Sequence, residues 1–258
     1  MAEKITKQKT PFFRFFELWF RNFWMLVPIN FVYCVIGILL LPCGLSQSGI
    51  TNVARNLARN QHSFGISDFF DTVKSNWKHA LLVGIINLLI NLLLCYGLVF
   101  YYNSEGLFAD IALGFLLICF IIFSFMRYYM WTIIITFDLP VFKVYKNSFL
   151  LAFVNIKKNL FVGVVELALY AGVILAVVWI PHFVVLFLAT IIAVFIIPGF
   201  SHLLIQFNCF PAIQKYIIDP YYEAHPGEDI SLRRSLALDT EELSEEKPEP
   251  IFHDENSL

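Results

Sequence analysis

Leu41-Pro42-Cys43-Gly44-Leu45-Ser46-Gln47-Ser48-Gly49-Ile50-Thr51-Asn52-Val53-Ala54-Arg55-Asn56-Leu57-Ala58-Arg59 is the stretch whose reading decides the fold. It follows an apolar run without charge, Trp24–Leu41, whose 18 residues just suffice to cross a ~30 Å hydrocarbon core. The stretch itself is semi-polar, with small residues, hydroxyls and amides, and it ends on two arginines. Whether it crosses the membrane sets the sidedness of everything after it.

The chain of 258 residues is 59% hydrophobic and 15% charged, with 28 phenylalanines, against ~25% charged residues in an ordinary soluble domain. Mean hydropathy is +0.70. This composition indicates an all-α polytopic membrane protein. Of its 20 acidic residues, 12 lie from Asp219 onward, which leaves the remainder net basic. That balance suits a protein beside anionic lipid. The five cysteines form no C-x-x-C pair and mostly lie in or beside apolar runs, where they read as small buried hydrophobes. No metal site, disulfide or cofactor is expected. The N-terminus, with Pro11 and Phe residues broken by Arg14, Glu17 and Arg21, does not read as a cleavable signal.

Taken in order, residues 1–11 read as a disordered polar start, 12–218 as a transmembrane domain, and 219–258 as an acidic, partly disordered cytoplasmic tail. Within the domain, Phe12–Phe23 and Asp68–Lys78 mix aromatic and basic residues and read as amphipathic elbows in the membrane interface, the second N-capped by Ser67. Asp138-Leu139-Pro140 opens a third amphipathic segment, which carries Lys143, Lys146, Lys157 and Lys158. Five strong spans follow from the apolar runs: Trp24–Leu41, Ala80–Tyr102, Ile111–Phe137, Leu160–Ile180 and Phe183–Phe207, with a kink at Pro198.

The loops then fix the parity. The Asn103–Asp110 and Pro181-His182 turns carry no Lys or Arg, whereas 55–78 and 143–158 carry four each and the first 21 residues five. Positive residues favour the cytoplasm. Both termini and both basic loops are therefore expected inside, at the plasma membrane, which requires an even number of crossings. The sixth, weak crossing is assigned to Gly44–Arg59, about 24 Å long as a helix. It needs shelter from its neighbours, and Gly44, Ser48 and Gly49 permit their close approach. A re-entrant loop buried in protein gives the same sidedness.

The elbows resemble one another. Phe15-Phe16-Glu17 with Asn22-Phe23 matches Phe69-Phe70-Asp71 with Asn76-Trp77, and Val83–Leu88 resembles Val162–Leu167. The architecture expected is three helical hairpins in one orientation, a parallel repeat.

Charges inside spans are costly and usually face the bundle interior. Arg127 lies ~15 Å from the inner end of its helix and Glu166 ~9 Å from that of its own, so an Arg127–Glu166 pair is expected. Asn87 and Asn91 are one turn apart and add to an intramembrane polar set, joined by Gln47, Thr51 and Asn52 of the weak helix. The set reads either as a substrate site or as a structural network that fixes helix register. The lone His202 reads as packing. Catalytic signatures such as H-E-x-x-H, G-x-S-x-G or a P-loop do not occur, so no catalytic residues are assigned. The basic loops, interleaved with aromatics, suit lipid headgroups and not nucleic acid.

Several of these residues also carry a family resemblance. Asn30, Leu41-Pro42, Arg55 and Arg59, Phe69-Phe70, Lys74-x-Asn76, Phe137-Asp138 and Lys146-Asn147-Ser148 resemble the YesL-like bacterial integral membrane proteins, a family of unknown function, over residues 12–205. Cys43-Gly44-Leu45-Ser46 departs from the Thr-containing glycine motif that follows the proline in that family. The resemblance implies a bacterial plasma-membrane protein associated with carbohydrate import, with sugar transporter subunits as partners. Two functions are therefore expected: a non-enzymatic accessory or assembly partner of a transporter, or a small transporter or channel in its own right. A homo-oligomer is compatible with both. A membrane enzyme acting on lipid-linked glycans has the least support.

Overall fold

A computed structural model describes residues 10–39, 43–180 and 182–220. It is all-α, without a strand among the described residues. The helices are α1 (Pro11–Ile38), α2 (Cys43–Ala58), α3 (Ile66–Tyr102), α4 (Leu107–Thr136), α5 (Val141–Val154), α6 (Ile156–Trp179), α7 (Phe183–Phe195) and α8 (Ile197–Ile213), with a π-helical turn at Gln214–Ile218. Among the described residues, five helical stretches are long and apolar enough to cross a membrane: α1, α3, α4, α6 and the run Phe183–Ile218. Leu40, Leu41, Pro42, Pro181, residues 1–9 and the acidic tail from 221 onward lie outside the described residues.

Two expected elbows are not separate elements. Phe12–Phe23 continues into its span as the 28-residue α1, and Asp68–Lys78 continues into the 37-residue α3. No proline or glycine falls at the junction of elbow and span, and Pro28, five residues past Phe23 in α1, removes one ladder bond without ending the helix. Only the third segment is a helix of its own, because the chain leaves helical geometry at Asn155 between α5 and α6. Ser67 does not cap α3 either. Gly65, with φ 63°, precedes the helix, and the Asp68 carboxylate takes the Ser63 hydroxyl at 2.7 Å and the Phe64 N–H at 2.9 Å. Near Pro198 the helix ends and restarts: Ile196 separates α7 from α8, and Pro198 sits in the first turn of α8, where its missing N–H costs nothing.

The semi-polar stretch is a helix, and it is central. α2 packs against α1, α3, α4 and α8, and 10 of its 16 residues are buried. Its serines return hydroxyl bonds to their own helix, Ser46 to Cys43 O and Ser48 to Leu45 O, both at 2.8 Å. Such bonds satisfy the polar groups locally and keep the surface thin. At its N-terminal end a Cβ added to Gly44 would collide with the Ala80 carbonyl and lie 2.8 Å from Gly84 Cα. Only two glycines allow this backbone-to-backbone approach. One further turn along, Gly49 takes the ring of Phe69, which is 1% exposed.

Burial is lopsided along the molecule. Beyond Gly84, α3 buries only Asn87; α6 buries nothing beyond Val162, and α7 only Ala189. These outer lengths form two hairpin arms, α3–α4 and α6–α7, with apolar exposed faces suited to lipid. Gly97 admits Leu116 inside the first arm. The core collects at the other end, around α2, the first half of α3, the last turns of α4, α5 and α8. The two matched elbows share local features there: Phe15 and Phe69 are both buried, and Asn22 and Asn76 each donate to the carbonyl four residues back.

Gly44→Leu is expected to destabilise the protein by at least the ~1–3 kcal/mol typical of overpacking, read as a fall in melting temperature of the detergent-purified protein. Gly114→Leu, on the open face of an arm with nothing within 4 Å of the added Cβ, is expected to leave it unchanged.

Candidate functional site

The polar residues on α2 divide into two groups. Toward its N-terminal end, Gln47 bonds the Tyr33 hydroxyl of α1 at 2.7 Å and faces His202 Nε2 of α8 at 3.0 Å. His202 Nδ1 lies 2.8 Å from the Pro198 carbonyl, and its ring meets Tyr33 edge-on. His202 is thus a clamp joining three helices. Thr51 is buried on the same helix.

Toward the C-terminal end, Arg55 donates to Thr136 Oγ1 of α4 and to Asn52 Oδ1, both at 2.7 Å. Arg59 lies over the Phe210 ring at 5.2 Å.

Asn87 and Asn91 do not meet through their side-chain ends. Asn91 Nδ2 donates to its own helix at Asn87 O, 2.8 Å away. Asn87 Oδ1 accepts from the Tyr145 hydroxyl of α5 at 2.9 Å. Burial pushes the Tyr145 phenol up to about 12, so it stays a neutral donor. Thr132 pairs with Gln206 across α4 and α8, and Tyr129 with Asn159 across α4 and α6, all buried. These contacts fix helix register. They are what buried polar groups need if they are to avoid an unsatisfied-group penalty of ~1–3 kcal/mol each.

Arg127 stands apart from this pattern. It is half-buried on α4, and it makes no hydrogen bond or close ion pair among the described residues. Its charge is felt by Tyr33 on α1, Cys43 on α2, Glu166 and Tyr170 on α6 and His202 on α8. Glu166 is near, but its carboxylate takes the hydroxyl of Tyr128 at 2.7 Å and lies beyond the 4.0 Å of an ion pair with Arg127. Ser201 on α8 is 2% exposed. Its hydroxyl sits beside Glu166 and Tyr170 without a well-formed hydrogen bond to either.

The sequence therefore pointed to Arg127 and Glu166, between which no ion pair forms because Tyr128 holds the carboxylate, to Asn87, which the structure joins to Tyr145 of α5, and to Asn91, which bonds back to its own helix. It missed Tyr33, Tyr128, Tyr170 and Ser201. Nothing local marks them among 11 tyrosines and many serines in apolar runs. Only the convergence of helices distant in sequence selects them.

A separate cleft of ≈ 590 Å³ lies between Ser75–His79 and Ile134–Asp138 at the charged end of α3. No group of three or more His, Cys, Asp or Glu among the described residues can hold a metal.

Residues 26–98 match a family described as "Protein of unknown function, DUF624", the family to which YesL-like proteins belong. The match spans the second half of α1, all of α2 and most of α3, and so includes the glycine contact but neither Arg127 nor Glu166. No curated protein and no solved structure matches the chain.

Thr136→Val removes the acceptor of a buried guanidinium in a nearly isosteric way. A loss of ~1–3 kcal/mol is expected, measured by thermal unfolding in detergent, with Thr190→Val on the exposed face of α7 as the neutral comparison.

Proposed function

We propose that this protein is a non-enzymatic multi-pass membrane protein that binds a small polar solute inside its bundle, at Arg127 and Glu166, and moves it across the membrane in its own right. The observation that carries this reading is the state of Arg127. Tyr33, Gln47, His202, Tyr128 and Glu166 are engaged with neighbours, whereas the half-buried Arg127 makes no hydrogen bond or close ion pair among the described residues. A charged group at membrane depth costs ~2.5–3.5 kcal/mol on insertion scales. Retaining one without a partner is the kind of local sacrifice that functional sites make.

The competing role, an accessory partner of a sugar uptake system, draws its support from the family resemblance and from the amphipathic surfaces of α3 and α5. The asymmetry of basic residues supports a plasma-membrane placement with both termini cytoplasmic.

The test is Arg127→Gln in the full-length protein. If Arg127 serves a solute, removing its charge leaves the melting temperature in detergent unchanged or raises it. If Arg127 is a structural strut, the melting temperature falls by ~2–4 °C per kcal/mol lost, and the reading fails. Stoichiometric transporter subunits retained by the native protein in mild detergent would move the function to the accessory role.

A further inference from the structure

We propose that the cleft between α3 and the end of α4 binds one membrane phospholipid whose headgroup carries both a phosphate and a primary ammonium, the phosphatidylethanolamine class. This site is separate from Arg127 and does not depend on the solute reading above.

The cleft encloses ≈ 590 Å³, within the ~300–1,000 Å³ of small-ligand pockets. Its two walls differ in what they offer. On the α3 side stand Lys78 and His79, both able to donate. Neither makes a hydrogen bond or ion pair among the described residues, and the Lys78 ammonium lies over the neighbouring Trp77 ring, 5.6 Å from its centroid. Ser75 and Asn76 in the same wall bond each other and the Thr72 carbonyl, which holds that turn in place. The facing wall is the end of α4, and it accepts. Phe137 leaves the helix in extended geometry with its N–H on Ile133 O, and the carbonyls of Ile134, Ile135 and Thr136 receive no backbone N–H among the described residues. They form the negative end of the helix dipole. Asp138 adds a carboxylate that likewise has no hydrogen bond or ion pair among the described residues. Thr136 anchors this wall by accepting Arg55 of α2 at 2.7 Å.

Donors on one wall and acceptors on the other select the ligand. A phosphate alone suits Lys78 and His79 but sets its charge against Asp138 and the α4 carbonyls, and a lone cation has the converse fault. A headgroup with its phosphate at Lys78 and its ammonium at Asp138 serves both walls. A primary ammonium brings three N–H donors to the carboxylate and carbonyls, whereas a quaternary one brings none. Location selects a lipid over a soluble phosphoamine. The cleft opens where the charged first turns of α3 give way to the uncharged length Ala80–Tyr102. Trp77, half exposed, suits headgroup depth. Beyond the cleft, Leu82 and Leu89 of α3 and Ile121 of α4 are exposed and give acyl chains an apolar surface. A headgroup seated in the cleft therefore keeps its chains in the bilayer.

The experiment uses the delipidated full-length protein in detergent and counts bound lipid by native mass spectrometry. The probes are phosphatidylethanolamine, phosphatidylglycerol and phosphatidylcholine with identical acyl chains. One phosphatidylethanolamine per protein is expected, preferred roughly tenfold over either other lipid, the effect of one charge-assisted hydrogen bond. Lys78→Gln and Asp138→Asn are each expected to abolish the preference and Lys78→Arg to keep it. Lys157→Gln, at the start of α6 and outside the cleft, is expected to leave it whole. All four side chains are exposed, so melting temperatures without lipid are expected to match the parent protein, which separates lost binding from lost folding. Soluble phosphoethanolamine at equal concentration is expected not to displace the lipid; displacement would make the ligand a soluble phosphoamine and overturn the lipid. Equal retention of phosphatidylglycerol overturns the ammonium contact, and equal retention of phosphatidylcholine overturns the primary amine. A preference unchanged in both Lys78→Gln and Asp138→Asn puts the lipid elsewhere and overturns the site, as does a protein that retains no phosphatidylethanolamine.

Discussion

The approach of α2 to α3 at Gly44 and Gly84 is the constraint on which the rest of this structure depends. Helices in lipid gain nothing from hiding apolar surface, because lipid tails are as apolar as leucine. A weakly apolar helix such as α2 is held by close packing and by hydrogen bonds, and both need thin surfaces. Glycine at the crossing point brings backbones together, and the back-bonded serines Ser46 and Ser48 keep the neighbouring positions small. With α2 seated there, Gln47 can reach Tyr33 and His202, and Arg55 can reach Thr136. The surrounding helices are then set in register by a polar helix that could not stand in lipid alone.

This explains the uneven distribution of the core. Residues around α2 are buried and paired, while the outer arms keep few buried positions and show apolar side chains on their open faces. The arms need only span and shield. The inner knot specifies. Arg127 and Glu166 lie where the two regions join, on the last turns of α4 before the knot and the first turns of α6 beyond it. Such a boundary is where an incompletely satisfied charge is tolerable, because packing below fixes the backbone.

Much of this was legible in the sequence. The five long apolar runs announced themselves by length, and the loop charges made Gly44–Arg59 the expected further, weak crossing. The structure makes that stretch a helix, sheltered as its composition demanded. What remained hidden has physical causes. Continuity of elbow and span in α1 and α3 follows from the lack of a breaker, a weaker signal than the change in composition that suggested a boundary. Ser67 looked like a cap, yet the turn at Gly65 moved the helix start and gave the role of tying the turn to Asp68. Tyr128 as the partner of Glu166, and Tyr145 as the partner of Asn87, depend on helices meeting across 38 and 58 residues of chain. No local pattern encodes such meetings.

The most direct measurement on the central claim is amide hydrogen exchange of the purified protein, resolved by peptide. If α2 is the seat of the fold, its amides open only with the whole molecule and Cys43–Ala58 exchanges as slowly as the buried turns of α4 and α8. Exchange of α2 well ahead of those helices, with the rest of the protein intact, would show it to be a loosely held insertion and would contradict the account.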